Sequence, residues 1–215
     1  MDENPSPDFS LDFREQLIAL FRWRRDVRRF RRDPLADTTR NRLLATACLA
    51  PSVGLSEPWR FVIVSEPSRR EAVRACFERC NADALTSQTE NRASLYARLK
   101  LAGLGDAPCQ IAVFADSSTS QGHGLGRQTM PETIAYSAAM AIHTLWLAAR
   151  AEGIGLGWVS ILEPATVSSI LDVPSNWTFV AYLCLGYPLA ETEMPTLMHD
   201  GWETRRIPEA FVLHR

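Results

Sequence analysis

An arginine-rich segment, residues 22–32, is the part of this chain best suited to chemistry. Seven of its eleven residues are arginine, whereas the whole 215-residue chain contains 22 arginines. A guanidinium group binds phosphate through two parallel hydrogen bonds, so the segment is a candidate phosphate clamp. Arginines at the end of a helix also complement the helix dipole without any ligand. The pattern alone leaves both interpretations open.

A single carboxylate, Asp26, lies inside this segment. Arg24, Arg25 and Arg28 are spaced so that their guanidinium groups could converge on one ligand close to it. A carboxylate opposes a bound anion, so Asp26 is either an internal counter-ion or a group that takes part in a reaction. Composition does not distinguish these two roles.

Two further segments have compositions typical of ligand-binding loops. Residues 50–59 contain two prolines, one glycine and two serines, which favour a loop with accessible backbone amides. Residues 153–160 alternate glycine with apolar residues as they enter a predicted strand, and such glycines let a flat ligand approach the backbone. They are not a dinucleotide fingerprint, because they precede a strand rather than a helix. Ser160 lacks a nucleophile elbow, which argues against a serine hydrolase.

Composition excludes several other classes of protein. The net charge is −2, so the arginine segment is a local feature, and nucleic acid is not expected as a partner. The scattered histidines and the five cysteines, which include no C-x-x-C pair, do not predict a metal site. The longest apolar run, residues 138–149, falls short of the roughly 20 residues that span a membrane. With an acidic N-terminus unlike a signal peptide, these features predict a cytoplasmic protein.

The coarse secondary structure favours one layered domain. Hydrophobic periodicity and helix-breaking residues predict helices over residues 13–23, 37–49, 67–81, 90–103, 131–152 and 164–171. Short apolar runs predict strands over residues 60–65, 109–115, 156–161 and 179–185, with a strand-like tail at 210–214 that could pair with another element or subunit. Residues 1–12 are expected to be a flexible lead and 13–215 a single domain. Strands between helices of uneven length favour an α+β fold over a doubly wound sheet. The centre of the helix over 131–152 is apolar nearly all round, so we expect it to be buried, either within the chain or between subunits, and His143 to be a core residue.

Taken together, six segments resemble the FMN-dependent nitroreductase family. They are RRDVR (24–28), PSVG (51–54), GLGRQTMP (124–131), LWLAARAEG (145–153), GWVSI (157–161) and LCLG (183–186). Within that family the resemblance is greatest to the branch that makes 5,6-dimethylbenzimidazole. Asp26 is the discriminating residue, since ordinary nitroreductases usually carry Ser or Thr at this position. Glu57 is a departure, because Gln is commoner there.

The resemblance implies an α+β fold with a central, mostly antiparallel sheet flanked by helices, in an interlocked homodimer. FMN would bind at the subunit interface, with Ser52 and Gly54 supplied by the other subunit. Asp26 and Ser160 would be the catalytic residues. The implied FMN-binding residues are Arg24, Arg25, Asp26, Val27, Arg28, Ser52, Gly54, Gly157, Ser160 and Arg205.

The implied reaction consumes reduced FMN and oxygen and yields 5,6-dimethylbenzimidazole, the lower ligand of cobalamin, and a four-carbon sugar phosphate. FMN would then be a substrate, delivered by a flavin reductase. Residues 86–130 would supply a lid that encloses the pocket, with Tyr96 and Lys100 as contributors. Two alternatives remain: an NAD(P)H-dependent nitroreductase or flavin reductase that retains FMN, and a non-catalytic flavin-binding protein.

Overall fold

The computed structural model describes residues 7–215. Its helices are α1 (Leu11–Trp23), α2 (Asp37–Ala47), α3 (Pro67–Thr86), α4 (Glu90–Tyr96), α5 (Thr133–Ala151), α6 (Pro164–Leu171) and α7 (Thr196–His199). Its strands are β1 (Trp59–Ile63), β2 (Cys109–Asp116), β3 (Gly155–Val159) and β4 (Trp177–Gly186). Short 3₁₀ turns cover Val53–Leu55, Gln121–Gly124 and Pro208–Phe211. Within this part of the chain, no helix is both long and apolar enough to cross a lipid bilayer.

The strands form one sheet in the order β1-β2-β4-β3, and all neighbouring strands are antiparallel. Side chains alternate between the two faces of a strand, so Ala112 and Phe114 of β2 pack towards α3 and α6. Ile111 and Val113 pack towards α2 and α5 on the other face. Because helices cover both faces, β2 is buried along its whole length. The predicted α+β fold with an antiparallel sheet is confirmed, and the doubly wound alternative is wrong.

Most predicted elements occur close to their expected bounds. α6 covers the predicted residues, whereas α1 begins two residues early because the Ser10 hydroxyl caps it, accepting from the Phe13 N–H at 3.2 Å. Leu11 and Asp12 therefore belong to a helix rather than to the predicted lead, of which residues 1–6 lie outside the described part. The helix predicted over 90–103 ends at Tyr96, and the chain then runs irregularly to bury Ala102 and Leu104.

Three expectations need correction. The lid predicted over residues 86–130 is too wide, since it includes β2, the buried strand in the middle of the sheet. The tail at 210–214 pairs with no strand among the described residues; it begins inside a 3₁₀ turn and leaves Phe211 and Leu213 more than 70% exposed. Its pairing with another subunit stays a prediction. His143 is exposed on α5 rather than buried in the core. It shares an exposed stripe with Tyr136 and Met140, at helical spacing.

A polar network at the end of β2 holds the 50–59 loop. The Arg60 guanidinium donates to the Asp116 carboxylate at 2.8 Å and to the carbonyl oxygens of Glu57 and Trp59 at 3.1 and 2.9 Å. The network ties the end of the loop that carries Ser52 to the sheet.

Asp116→Asn should lower the free energy of unfolding at neutral pH by about 1–2 kcal/mol, because it removes charged hydrogen bonds. Burial alone raises the pKa of Asp116, but hydrogen bonds from Ser118 and Asn176 and the charge of Arg60 outweigh it and lower that pKa. The stabilisation is therefore present above the unfolded-state pKa and is lost as the pH falls through the folded-state value. Urea unfolding at neutral and acidic pH should show the wild type and the variant converging in acid. Glu71→Gln, at an exposed ion pair, is the control; a constant difference at all pH values would contradict the assignment.

Candidate functional site

Asp26 is fixed at the free edge of the sheet. β3 is an edge strand, so its outward backbone groups have no strand partner within the described chain. The Val27 N–H donates to the Leu156 carbonyl at 3.0 Å, and the Trp158 N–H donates to Asp26 Oδ1 at 2.9 Å. The segment after α1 therefore adds onto β3 as a short parallel bridge, and Asp26 satisfies an amide that would otherwise lack a partner.

Gly155 and Gly157 make this approach possible. A Cβ atom on Gly157 would lie less than 3.0 Å from the Val27 carbonyl oxygen, and one on Gly155 would lie 2.8 Å from a Val27 methyl group. The alternating glycines thus allow the segment that contains Val27 to pack closely against β3. Their spacing in the sequence did not indicate this contact. Contact of Gly157 with FMN stays a prediction.

Arg28 engages the second oxygen of Asp26. Its Nη2 donates to Asp26 Oδ2, and its Nη1 donates to the Leu101 carbonyl oxygen. The two side chains are 20% and 30% exposed, so the ion pair is only partly screened by water. Both carboxylate oxygens of Asp26 therefore have partners in this state. Asp26 is therefore a counter-ion of Arg28 in this structure. It could still act as a catalytic base if Arg28 moved away from its Oδ2.

Arg24 and Arg25 form a concentration of positive charge beside Asp26. The Arg24 guanidinium lies 4.7 Å from the centroid of the Trp146 ring, and the Trp146 Nε1–H donates to the Arg25 carbonyl at 3.1 Å. Burial lowers the pKa of the Arg24 guanidinium; Asp26 opposes that shift and Arg205 adds to it. Burial, followed by the charges of Arg24 and Arg205, also lowers the pKa of Arg25. An anion placed here would relieve the repulsion.

The Arg25 side chain also has an unused donor. Its Nε is buried and has no hydrogen-bond acceptor among the described residues. The Nη2 of the same side chain donates to the carbonyl oxygens of Phe21 and Arg22. A buried N–H without a partner is costly, so the Nε could donate to a ligand acceptor at low cost. The donor set is guanidinium groups, which suits a phosphate. Phosphate binding by this segment stays a prediction, which the concentration of positive charge and the unpartnered donor favour.

A cleft connects these residues to more distant parts of the chain. Arg24, Arg25, Asp26 and Arg28 line it together with Arg205 of the C-terminal segment and with Lys100. Lys100 is the single lysine of the chain. No sequence motif indicated that it would line this cleft; it was predicted only as a contributor to the lid. A neighbouring cavity of about 180 Å³ is lined by Val27 and also by Arg25, Asp26 and Arg28.

Other predicted residues lie apart from this cleft in the single chain. Ser160 is exposed just beyond the end of β3 and is not among the residues that line the cleft or the neighbouring cavity. The Ser52 hydroxyl accepts from the Glu57 N–H at 3.1 Å, and Gly54 lines a separate groove. Of the predicted set, one chain thus brings together the arginines, Asp26 and Val27, but not Ser52, Gly54 or Ser160.

The 50–59 loop is interlocked with residues 121–128. Gly54 has φ +57°, and a Cβ on it would lie 2.8 Å from the Leu125 carbonyl oxygen. The Glu57 carboxylate accepts from the Gln121 side-chain amide at 2.7 Å. Glu57 therefore uses its charge inside the chain to join the two loops. Sequence reasoning missed this partner because the two residues are 64 positions apart.

Comparison with known proteins agrees with this geometry. Residues 21–187 match the Nitroreductase family. The chain is 60% identical over 200 residues to a 5,6-dimethylbenzimidazole synthase of Rhodospirillum rubrum, covering 93% of this chain and 95% of the relative. It is 47% identical over 196 residues to a 5,6-dimethylbenzimidazole synthase of Rhodobacter capsulatus, covering 91% and 95%.

A solved structure supports the same fold. The crystal structure of oxidised iodotyrosine deiodinase, bound to FMN and 3-iodo-L-tyrosine, has a TM-score of 0.72 and 23% identity, covering 93% of this chain and 97% of that chain. At this identity the likeness concerns the fold alone. The family match and the two relatives show that the chain belongs to the nitroreductase family and, within it, to the 5,6-dimethylbenzimidazole synthases.

Proposed function

We propose that this protein cleaves reduced FMN in an oxygen-dependent reaction that yields 5,6-dimethylbenzimidazole and a four-carbon sugar phosphate. The observation that carries the proposal is the Asp26 carboxylate, fixed by the Trp158 N–H beside the positive charges of Arg24 and Arg25. The names of the relatives, at up to 60% identity, support the same activity.

The residues present fit FMN as the ligand. Arg24 and Arg25, with Arg205 beside them, would bind the phosphate, and the buried Arg25 Nε would gain an acceptor. Val27 and Gly157 would line the adjoining part of the site, where the chain passes along β3. Reduced FMN would supply both the electrons that react with oxygen and the carbon atoms of the benzimidazole.

Asp26 is the proposed general base. Trp158 fixes one carboxylate oxygen, so the other points in a defined direction and can accept a proton when Arg28 moves away. A positioned base within hydrogen-bond reach of a substrate hydroxyl is the requirement for breaking a carbon–carbon bond beside it. Ser160, exposed beyond β3, is proposed to orient the flavin ring or relay protons when a second subunit covers it.

A homodimer is proposed to complete the site. α1 buries none of its residues in the single chain, although it carries Ile18, Phe21 and Trp23. α5 exposes Tyr136 and Met140. Apolar surface of this extent is typical of subunit interfaces. Covering these helices with a second copy would allow Ser52 and Gly54 of the partner subunit to reach the Asp26 cleft.

Mixing two inactive variants tests the shared site. Asp26→Asn and Gly54→Val should each make almost no product, because one removes the base and the other displaces the 50–59 loop. If each site takes Asp26 from one subunit and Gly54 from the other, random mixed dimers regain one intact site, or about a quarter of wild-type activity overall. Asp26→Asn mixed with Arg24→Gln should regain none, because these two residues serve the same half of the site. Absence of recovery in the first mixture would rule out sharing.

One assay tests the function itself. The protein is incubated in air with FMN, NADPH and a separate flavin reductase, and the products are separated and identified by mass spectrometry. We expect dimethylbenzimidazole in stoichiometric relation to the FMN consumed, and none when the reductase is left out. FMN that is reoxidised without being consumed would contradict the proposal. Rapid NADPH oxidation by the protein alone would instead identify a flavin reductase or nitroreductase.

A further inference from the structure

We infer that Trp202 is a positioning residue that packs against α4 and thereby holds the C-terminal segment, with Arg205, at the cleft. This inference rests on the proposed function, since it takes Arg205 as one of the residues that bind the FMN phosphate. Trp202 itself lines neither the cleft nor the neighbouring cavity. It would therefore affect FMN binding only through the residues that it holds in place.

Trp202 is the last partly buried residue of the chain. All residues from 203 to 215 are exposed. The Trp202 N–H donates to the Leu197 carbonyl oxygen at 2.8 Å and closes the turn that follows α7. Arg205 comes shortly after this turn and lines the cleft. The position of Arg205 therefore depends on the contacts that Trp202 makes.

α4 supplies the surface on which the Trp202 ring packs. The centroids of the Tyr96 and Trp202 rings lie 6.0 Å apart with an interplanar angle of 63°, an edge-to-face arrangement. The Arg92 guanidinium lies 4.9 Å from the centroid of the Trp202 ring, as in a cation–π contact. Tyr96 is buried, and its hydroxyl donates to Asn81 Oδ1 of α3 at 2.9 Å. The Trp202 ring thus packs on a part of α4 that is itself tied to the body of the domain.

The charges at the cleft explain why the C-terminal segment needs this contact. Burial lowers the pKa of Arg24 and of Arg25, and the positive charge of Arg205 lowers both further. Three guanidinium groups of like charge repel one another, so the exposed segment would tend to leave the cleft before an anion binds. Packing of Trp202 opposes this movement. Without it, FMN binding would also have to order the segment, which weakens affinity.

The same contact reaches the opposite side of the cleft through α4. Leu99 and Lys100 follow α4 closely, and they line the cleft together with Arg205. Packing of Trp202 on Tyr96 therefore joins residues 97–100 to the C-terminal segment. Loss of the Trp202 ring should loosen both sides of the cleft.

A double-mutant cycle between Trp202 and Arg205 tests the inference. Trp202→Leu should weaken the binding of oxidised FMN about fivefold, the range expected for lost aromatic and cation–π contacts. Arg205→Gln should weaken it about tenfold, as for a lost charged hydrogen bond. The double variant should bind within about twofold of Arg205→Gln, because Trp202 acts through a guanidinium that is already missing. Trp202→Phe retains an aromatic ring and should restore affinity. Quenching of flavin fluorescence measures all four dissociation constants.

Proteolysis of the free protein gives a second measurement that needs no FMN. Lys100 is the single lysine, so a lysine-specific protease can cut only after this residue. Trp202→Leu should raise the cleavage rate about tenfold, because residues 97–100 lose a packing contact and open more often. Arg205→Gln should leave that rate within about twofold of wild type, since its side chain does not hold α4.

Matched variants complete the design. Arg206→Gln is the control for Arg205→Gln, because Arg206 is exposed and does not line the cleft; it should retain wild-type affinity. Arg92→Gln decides the matter if Trp202→Leu does not fold. It should weaken FMN binding about threefold and speed cleavage after Lys100, since it removes the cation–π contact. Arg98→Gln, at an exposed arginine just beyond α4, should do neither.

The failures of the two proposals are distinguishable. Additive losses in the double variant, about fiftyfold in all, would show that Trp202 acts independently of Arg205 and would overturn the inference. Wild-type FMN affinity in Arg205→Gln, or an unchanged cleavage rate in Trp202→Leu, would overturn it as well. A wild-type protein that binds FMN but makes no dimethylbenzimidazole would refute the proposed function alone, because neither measurement uses turnover.

Discussion

Asp26→Asn should leave FMN bound and reduce the formation of dimethylbenzimidazole by about 10²–10⁴-fold, the usual contribution of a general base. The amide oxygen of asparagine can still accept from the Trp158 N–H, so the contact with β3 survives the change. The amide cannot take a proton from a substrate hydroxyl at neutral pH. FMN binding is measured by quenching of flavin fluorescence, and product by mass spectrometry.

Asp33→Asn is a matched control for that experiment. Asp33 lies in the same stretch of chain, pairs with Arg31 at 3.0 Å and is 57% exposed, outside the cleft. It should retain both FMN binding and turnover. If Asp26→Asn made product at the wild-type rate, Asp26 would be a counter-ion of the arginines and nothing more. If it lost FMN binding, the carboxylate would be needed to assemble the site rather than to react.

Local features of the chain were enough to predict the strands and most helices. The central parts of β2 (residues 111–115) and β4 (residues 179–185) are continuous apolar runs, as is typical of a strand that is covered on both faces. α6 could be bounded to the residue, because Pro164 occupies its first turn and Glu163 caps it through the Thr166 N–H at 2.7 Å. The arginine segment could be recognised as a candidate site for a similar reason. Its high charge density arises from residues that are adjacent in the sequence, so it can be recognised without knowing any distant contact.

Features that depend on distant partners could not be predicted in this way. The glycines of β3 indicated a close approach, but only the folded chain shows that Val27 makes it. Leu101, one partner of Arg28, lies 73 positions from it, and Gln121, the partner of Glu57, lies 64 positions from it. No spacing rule connects such pairs. His143 was expected to be a core residue because the apolar helix that carries it was predicted to be buried, within the chain or between subunits. α5 instead exposes a stripe that a second subunit is proposed to cover.

Gly157→Ala should cost about 2–3 kcal/mol of folding free energy and nearly abolish product formation, although alanine adds a single methyl group. The new Cβ would lie less than 3.0 Å from the Val27 carbonyl oxygen, a backbone atom that cannot turn aside as a side chain would. Relief requires the bridge between Val27 and Leu156 to open, which moves Asp26 away from the Trp158 N–H. A displacement of about 1 Å at a reacting group is worth roughly 100-fold in rate. Urea unfolding and the dimethylbenzimidazole assay measure the two effects.

Gly105→Ala separates this steric effect from the general consequences of replacing glycine. A Cβ on Gly105 would meet no atom within 4 Å, and its φ lies outside the left-handed range. That variant should stay within about 0.5 kcal/mol of wild type in unfolding free energy and keep full activity. Equal losses in the two variants would show that chain flexibility, not the contact with Val27, explains glycine at 157. A Gly157→Ala variant with wild-type stability but no activity would show that the bridge between Val27 and Leu156 opens without unfolding the core. The contact with β3 would then be needed to position the Asp26 carboxylate and not to stabilise the fold.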